Sequence, residues 1–253
     1  MNTKLEAFQR LLDIMDDLRE KCPWDKKQTT ESLRNLSIEE VYELSDAILK
    51  KDSQGVKEEL GDLFLHLVFY SKIGEEQKQF DVADVLNGVC DKLIHRHPHI
   101  YGDVQADTEE EVLKNWEQLK LKEGKNSILE GVPPSMPAIN KAYRMQEKTA
   151  KVGFEWDTIA EVWDKVEEEK AELQEVVAEE NQERIMDEFG DLLFALINYA
   201  RYLKIDPEAA LEGTNKKFKK RFEFIEKTAK EQGKDLQNMS LEEMDKIWNL
   251  AKG

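Results

Sequence analysis

The sequence predicts an all-α protein built from two copies of one helical unit, and three observations support this. Gly (12 residues) and Pro (6 residues) are few in a chain of 253 residues, and the stretches between them are rich in Glu, Lys, Leu and Ala, which favour helices. Apolar residues recur at spacings of three and four, which is typical of amphipathic helices. One pattern of acidic residues also occurs twice in the chain.

Ten segments carry the helical spacing, and local signals mark where several of them begin. Asp81 precedes the fourth segment, Asp206-Pro207 precedes the ninth, and Ser240 with Glu243 forms a capping box before the tenth. The predicted helices are, in chain order, 5–18, 33–49, 56–73, 82–94, 112–121, 139–145, 159–177, 185–203, 209–225 and 241–250.

A cluster of helix-breaking residues near the middle of the chain predicts a linker. Two glycines and three prolines interrupt the helical pattern between Gly124 and Pro137. We therefore predict an N-terminal domain at 1–124, a linker with a connecting helix at 125–150 and a C-terminal domain at 151–253.

The second half of the chain repeats the first. In the central block the offset is 129 positions, so that Glu39, Glu40, Glu43, Glu59, Gly61 and Asp62 correspond to Glu168, Glu169, Glu172, Glu188, Gly190 and Asp191. Outside this block the offset drifts to 132 at Trp24-Asp25 and to 125 at Lys92 and Arg96, as small changes in loop length would produce. The chain is therefore predicted to contain two related domains.

In each copy, one helix carries the pattern Glu-Glu-x-x-Glu and the next carries Glu-x-x-Asp. At 100° per residue, Glu169 and Glu172 lie about 60° apart on one helix face, and Glu188 and Asp191 do the same on the following helix. Carboxylates that converge in a partly buried space repel one another and take up protons unless a divalent cation neutralises them. Oxygen ligands without His or Cys favour Mg²⁺ first and Mn²⁺ second.

A solvated acidic helix face is the alternative explanation for either motif taken alone, because 54 of the 253 residues are acidic. Two motifs with an identical interval, each running into an apolar helix, favour the metal site. Gly61 and Gly190 stand inside these helices, where Gly costs about 1 kcal/mol relative to Ala. They predict the close approach of another helix or of a ligand beside the acids.

A pair of basic residues follows the acids by one helix in each copy. Lys217 and Arg221, like Lys92 and Arg96, are four residues apart and share a helix face. Arg binds phosphate in bidentate fashion and Lys acts as a point charge, so the pairs are candidates to hold the terminal phosphates of a substrate. A solvated face that balances the acidic surface is the alternative interpretation.

Composition disfavours several classes of function. With 37 Lys plus Arg against 54 Asp plus Glu, the net charge of −17 argues against binding to duplex DNA or RNA and to anionic membranes. Two cysteines argue against a disulfide framework or a structural zinc site. The sequence contains no signal-peptide pattern, membrane-spanning stretch or P-loop, so we expect a cytoplasmic protein without Walker-type nucleotide binding.

Further segments accompany the repeated acidic pattern, namely Lys21-Cys22-Pro23-Trp24-Asp25, Arg96-His97-Pro98-His99, Asn115-Trp116-Glu117, Glu130-Gly131-Val132-Pro133 and Val152-Gly153-Phe154-Glu155-Trp156. Together they resemble the MazG family of nucleoside triphosphate pyrophosphohydrolases over nearly the whole chain. The resemblance implies tandem all-α domains whose four-helix-bundle-like sites are completed by helices of a second chain in a homodimer. It also implies Mg²⁺-dependent cleavage of NTPs and dNTPs to the monophosphate and pyrophosphate.

The resemblance further implies a set of working residues, chiefly in the second domain. The metal ligands carried over by motif are Glu169, Glu172, Glu188 and Asp191, and Glu168 beside them is the candidate to hold or deprotonate the attacking water. The positions that contact nucleotide in the family are matched here by Lys165, Lys217, Arg221 and Trp248.

Differences between the two copies favour the second as the active one. Asn198, seven residues after Asp191, corresponds to Phe69 in the first copy, and Lys165 corresponds to Leu36. Asn198 therefore joins the candidate substrate-binding residues. We expect the first copy to be weak or inactive although it retains Glu39, Glu40, Glu43, Glu59, Asp62, Lys92 and Arg96. Thr30 stands where the family often has His, which concerns the first domain only.

The predicted function is that of a broad-specificity nucleoside triphosphate pyrophosphohydrolase, in which Lys217 and Arg221 neutralise the departing pyrophosphate. Two alternatives are open at this stage. One is a non-catalytic helical regulator that binds a nucleotide without turning it over. The other is a pyrophosphatase specialised for one nucleotide, such as dUTP or a phosphoribosyl-ATP intermediate.

Overall fold

A computed structural model describes residues 3–106, 108, 111, 112, 115, 116, 119 and 127–252. Every regular element formed by these residues is a helix, which confirms the predicted all-α class. The chain divides into two units, Met1–Leu119 and Lys120–Gly253.

The first unit contains α1 (Thr3–Lys21), α2 (Thr30–Lys50), α3 (Ser53–Glu76), α4 (Val82–Arg96) and α5 (Pro98–Tyr101), with a 3₁₀ turn at Asp25–Lys27. The second unit contains α6 (Ala138–Ala150), α7 (Ile159–Ala178), α8 (Gln182–Tyr202), α9 (Pro207–Glu231) and α10 (Leu241–Leu250), with a 3₁₀ turn at Leu236–Asn238.

Each unit is organised around a helical hairpin, α2–α3 in the first unit and α7–α8 in the second. Both hairpins begin with a capping box, in which Thr29 or Thr158 accepts a hydrogen bond from the backbone N–H of the third residue of its helix. This cap satisfies a backbone donor that has no partner inside the helix. The two hairpins therefore start in the same way at positions 129 apart.

The turn inside each hairpin is matched as well. Lys51 and Glu180 adopt the left-handed backbone conformation, with φ values of 57° and 56°. The next residue, Asp52 or Asn181, caps the second helix by accepting backbone N–H hydrogen bonds with its side chain. Because caps and turn recur at the offset of 129, both hairpins place equivalent residues in the same register.

The core of the first unit lies between α1 and the α2–α3 hairpin. Its buried members are Met15, Leu33, Val68, Phe69 and Ile73. Arg19 covers this cluster, with its guanidinium 5.4 Å from the centre of the Phe69 ring and an ion pair to Glu76 at 2.5 Å. In the first unit, large side chains therefore close the inner face of the α2–α3 hairpin.

In the second unit, α8 packs against α7 and α6, and α9 packs against α10. Gln146 of α6 donates a hydrogen bond from Nε2 to the Phe194 carbonyl oxygen of α8 at 2.8 Å. The predicted linker at 125–150 therefore contains a helix that packs within the second unit. Two buried groups form the core, Val162, Val166 and Val176 on α7, and Ile225, Ala229, Met239 and Ile247 on α9, α10 and the segment between them.

The predicted helix starts at Asp81, Asp206 and Ser240 are confirmed, because each of these side chains accepts a backbone hydrogen bond as an N-cap. The predicted helix at 112–121 lies largely outside the described residues. The four-residue helix α5 was not predicted, since it is too short to show a helical period. None of the helices in the described part of the chain combines the length and apolarity that a membrane crossing needs.

We expect Leu33→Ala to lower the free energy of unfolding by about 2–5 kcal/mol, because Leu33 is 0% exposed and its truncation leaves a cavity. Urea unfolding followed by circular dichroism measures the loss. Leu5→Ala is the matched control, since Leu5 is 67% exposed and its truncation should change the free energy by less than about 0.5 kcal/mol. Equal losses in the two variants would contradict the core assignment.

Candidate metal and nucleotide site

The α7–α8 hairpin brings three of the predicted carboxylates together. Glu169, Glu172 and Glu188 each offer a carboxylate oxygen, and these oxygens lie within 4.8 Å of one another. Glu169 is buried, Glu188 is half-buried and Glu172 is exposed. The cluster therefore opens from the inside of the hairpin to solvent.

The register of the hairpin explains why these groups meet. Glu172 and Glu188 lie eight residues before and after Glu180 of the turn, and Glu169 and Asp191 lie eleven before and after it. Both helices rise about 1.5 Å per residue and run in opposite directions from the turn, so equal separations bring residues level. Asp191 is outside the group within 4.8 Å, but it lines the same cavity as Glu169.

Lys165 supplies a positive charge to the cluster from one turn earlier on α7. Its Nζ lies 2.8 Å from a Glu168 oxygen and 2.5 Å from a Glu169 oxygen. Its hydrogen bond to Glu168, together with that to Glu169, raises the pKa of Lys165 above its ordinary value. Glu168 is not one of the three clustered glutamates, but the hydrogen bond from Lys165 holds it at the edge of their cluster.

The repulsion in the cluster is only partly relieved. Loss of hydration, followed by the charges of Glu169 and Glu188, raises the pKa of Glu172 above its ordinary value. The negative charges that favour a proton on Glu172 also favour a cation that can reach all three carboxylates.

A cavity of about 190 Å³ adjoins the acids. Its charged lining comes from Lys165, Glu169 and Asp191, and the remaining lining residues are Trp156, Val162, Phe194, Ala195 and Asn198. Asn198, a predicted substrate-binding residue, is 6% exposed and lies here beside the acids. The cavity thus joins a charged end to a largely apolar one.

The predicted basic residues lie elsewhere in the unit. Lys217 is exposed on α9, and the Arg221 guanidinium lies 5.4 Å from the centre of the Trp248 ring of α10. Neither Lys217 nor Arg221 lines the cavity, and no ion pair among the described residues joins them to its carboxylates. Within one chain, Arg221 therefore lies beside Trp248, but neither Lys217 nor Arg221 lies beside the acids of the cavity.

The first hairpin repeats the carboxylate group without the lysine. Oxygens of Glu40, Glu43 and Glu59 lie within 4.8 Å of one another, and Asp62 lies outside this group. Loss of hydration and neighbouring acids raise the pKa values of Glu40 and Glu59. Leu36 replaces the lysine, so no cation offsets this charge from that position.

The remaining predicted residues of the first copy are Glu39, Lys92 and Arg96, which lie outside this group. Glu39 is exposed and lines an open depression of about 800 Å³ with Glu43 and Glu59. Lys92 is exposed on α4, and Arg96 ends that helix.

The expectation drawn from the helix glycines is wrong within one chain. A Cβ atom added to Gly61 or Gly190 meets no atom within 4 Å. Gly190 instead borders an apolar groove of about 730 Å³, which Leu193 and Leu211 also line. Among the described residues, no other helix therefore comes within 4 Å of these positions, and the approach of a ligand stays a prediction.

Sequence reasoning missed three residues that hold the apolar end of the cavity. Arg201 donates a hydrogen bond from Nε to Asn198 Oδ1 at 3.1 Å and pairs with Glu155 at 3.1 Å. Tyr202 donates a hydrogen bond to the Trp156 carbonyl oxygen. The three-residue interval between Asn198 and Arg201, which places both on one helix face, was the available signal.

A family model matches both parts of the chain that contain the hairpins. The family model described as the MazG nucleotide pyrophosphohydrolase domain matches residues 28–101 and 158–226, which contain the two hairpins.

Relatives match over nearly the full chain. The Nucleoside triphosphate pyrophosphohydrolase of Escherichia coli (strain K12) is 39% identical over 260 residues, covering 98% of each chain. The Nucleoside triphosphate pyrophosphohydrolase/pyrophosphatase MazG of Thermotoga maritima is 41% identical, covering 97% of this chain and 96% of the relative. A Bacillus subtilis (strain 168) relative, Uncharacterized protein YabN, is 47% identical over 97% of this chain, which spans only 51% of that relative. By its two matched domains and these relatives, the chain belongs to the MazG family.

Proposed function

We propose that this chain is a Mg²⁺-dependent nucleoside triphosphate pyrophosphohydrolase, with Mn²⁺ as a possible substitute ion. It would hydrolyse NTPs and dNTPs in the cytoplasm to the monophosphate and pyrophosphate. The observation that carries the proposal is the meeting of Glu169, Glu172 and Glu188 beside a cavity lined by Lys165 and Asn198. The Escherichia coli and Thermotoga maritima relatives, which match over nearly their whole length, are named as nucleoside triphosphate pyrophosphohydrolases.

The residues present fit a hard divalent ion. The donors are all carboxylates, and three of them offer oxygens within 4.8 Å of one another. Loss of hydration, followed by the charges of Glu169 and Glu188, raises the pKa of Glu172. We infer that Glu169, Glu172, Glu188 and Asp191 hold Mg²⁺. When bound, Mg²⁺ supplies Lewis-acid stabilisation of phosphate charge.

Hydrolysis adds water across the phosphoanhydride bond between the α and β phosphates. In the proposed step the water oxygen bonds to the α-phosphorus and the bond from that phosphorus to the α,β-bridging oxygen breaks. Its electron pair leaves with the pyrophosphate, and one proton of the water must be accepted. Glu168 would accept this proton in the proposed scheme, and its ion pair with Lys165 at 2.8 Å keeps it near the proposed ion ligands. Lys217 and Arg221 are the groups that would neutralise the leaving pyrophosphate.

The second unit is the working copy in this proposal. It has a lysine at 165 and an amide at 198, where the first unit has Leu36 and Phe69. Phe69 is 2% exposed and belongs to the core of the first unit, so the space equivalent to the second cavity is filled. The first unit keeps its acids but lacks both the cation and the polar lining.

The proposed assembly is a homodimer. On α8, Phe189 is 52% exposed and Leu193 is 46% exposed, next to the apolar groove beside Gly190. Covering apolar surface of this kind is favourable by about 25 cal/mol per Å². A second copy on this face would also supply basic groups to the acids, whose ion pairs among the described residues come from Lys165.

The first expected result is pyrophosphate release. Incubation with Mg²⁺ and each NTP or dNTP should give the monophosphate, and phosphate should appear only when inorganic pyrophosphatase is added. Activity on most nucleotides supports broad specificity, whereas activity on dUTP alone supports the specialised alternative. Saturable binding without product would support the regulator.

The matched control for this assay compares the two units. Glu172→Gln should lower kcat by about 100-fold or more, because it removes one charged ligand from the proposed ion site. Glu43→Gln makes the same change at the equivalent position of the first unit and should leave most activity. The reverse result would assign the reaction to the first unit.

We expect millimolar Mg²⁺ to raise the melting temperature relative to a chelator. An ion that binds only the folded state at about 100 times its Kd stabilises that state by about 2.7 kcal/mol. Differential scanning calorimetry measures the shift, and NaCl at equal ionic strength controls for simple screening of the carboxylates. An equal shift with NaCl, or no shift with Mg²⁺, would count against the ion site.

Sedimentation equilibrium should give twice the chain mass of 29.5 kDa for the wild type. Leu193→Lys should shift the protein toward the monomer and reduce activity, because the new charge would be buried in the covered groove. Leu241→Lys introduces the same charge at an 82% exposed leucine outside the groove and should remain dimeric. A wild-type monomer with full activity would refute the assembly.

A further inference from the structure

The apolar end of the cavity is held by a network that the reaction scheme does not use. Arg201, on the last turn of α8, donates from Nε to Asn198 Oδ1 at 3.1 Å and from a terminal nitrogen to Glu155 Oε2 at 3.1 Å. Its guanidinium also lies 4.6 Å from the centre of the Tyr202 ring. One side chain thus ties α8 to the segment that precedes α7.

Tyr202 makes a second tie between the same two parts of the unit. Its hydroxyl donates a hydrogen bond to the carbonyl oxygen of Trp156, whose side chain lines the cavity. Arg201 and Tyr202 therefore hold two successive residues of this segment, Glu155 and Trp156, beside Asn198.

The contact with Arg201 also determines the orientation of the Asn198 amide. A guanidinium N–H can only donate, so the atom that it meets must be the amide oxygen. The Asn198 Nδ2 group then points away from Arg201. Asn198 is 6% exposed, yet Nδ2 is not among the buried, unpartnered side-chain atoms of the described residues, and none of their hydrogen bonds involves it, so Nδ2 keeps some access to solvent. A nearly buried amide donor in a cavity lining is available to a ligand acceptor.

The size and lining of the cavity indicate which part of a nucleotide it receives. About 190 Å³ is below the range of roughly 300–1,000 Å³ for a complete small-molecule site. Its charged residues, Lys165, Glu169 and Asp191, would face the phosphates and the ion of the proposed function. Asn198 lies with the apolar residues Trp156 and Phe194, so it suits the nucleoside half rather than the phosphates.

The first unit lacks the amide and the arginine of this network. Phe69 replaces the amide, and Lys72 stands at the position of Arg201. The Lys72 Nζ is engaged by Asp16 at 2.7 Å and by Glu75 at 2.8 Å. The network is therefore specific to the unit that carries the proposed activity.

We propose that Arg201 is a positioning residue that fixes Asn198 so that its Nδ2 donates to an oxygen or nitrogen acceptor on the nucleoside half of the substrate. This inference rests on the proposed function only for the identity of the ligand as a nucleotide. Arg201 acts through Asn198 and does not itself touch the phosphates.

The test is calorimetric titration in Mg²⁺ with two probes, α,β-methylene ATP, which cannot be cleaved at the relevant bond, and tripolyphosphate, which has no nucleoside. Arg201→Ala and Asn198→Leu should each weaken binding of the analogue about 10-fold, as expected for loss of a buried hydrogen bond. Neither change should alter the affinity for tripolyphosphate. Lys72→Ala, at the equivalent position of the first unit, should leave the affinities for both probes unchanged.

The double variant Arg201→Ala/Asn198→Leu separates positioning from a structural role. If Arg201 acts through Asn198, the double variant binds the analogue no more weakly than Asn198→Leu alone. Additive losses, or an equal loss of tripolyphosphate affinity in Arg201→Ala, would overturn the proposal. An unchanged affinity of Arg201→Ala for the analogue would overturn it as well.

Failure of this proposal is distinguishable from failure of the proposed function. A wild type that releases pyrophosphate while Arg201→Ala binds the analogue normally refutes only the role of Arg201. If the wild type binds the analogue but releases no product, the proposed hydrolase activity is refuted. Binding of the analogue by the variants then still tests the role of Arg201. A wild type that neither binds the analogue nor releases pyrophosphate refutes both.

Discussion

The structure depends on one geometric constraint, the equal spacing of acidic residues on either side of a tight helical turn. Glu172 and Glu188 are level with each other only because both lie eight residues from Glu180. The left-handed conformation of that residue and the capping of α8 by Asn181 maintain this register. The other features of the site, including the ion pairs of Lys165 and the cavity beside Glu169, depend on this register.

The two hairpins share this constraint but differ in what surrounds it. In the first unit, Phe69 and Leu36 belong to or pack against a core that Arg19 covers. In the second unit, Asn198 and Lys165 leave a lined space at the equivalent positions. Two substitutions therefore distinguish a closed hairpin from one that can admit a ligand, while the carboxylate group is common to both.

Much of the fold could be predicted from the sequence because its signals are local. The apolar spacing of three and four locates the helices, and side chains such as Asp81, Asp206 and Ser240 cap them where expected. The four-residue α5 carries no period and escaped prediction. The convergence of Glu169, Glu172 and Glu188 was also predictable, since the turn between the helices is short.

Contacts between distant segments were harder to predict from the sequence. The pairing of Arg201 with Glu155 joins residues 46 positions apart, and no periodicity encodes it. Gly190 was expected to mark a close approach, yet open space lies beside it in one chain. A glycine in a helix shows only that a side chain is missing, and the neighbour that exploits the gap must be found in three dimensions.

The register of the hairpin also bears on how the duplicated chain could change in length. One residue inserted into the turn at Glu180 would rotate α8 by about 100° and carry Glu188 away from Glu172. The internal repeat records this asymmetry: the offset is constant at 129 from Thr29 to Asp62, but it is 132 at Trp24 and 125 at Lys92. Changes in length between the two copies thus lie outside the segment that holds the acids, and that segment has kept its length.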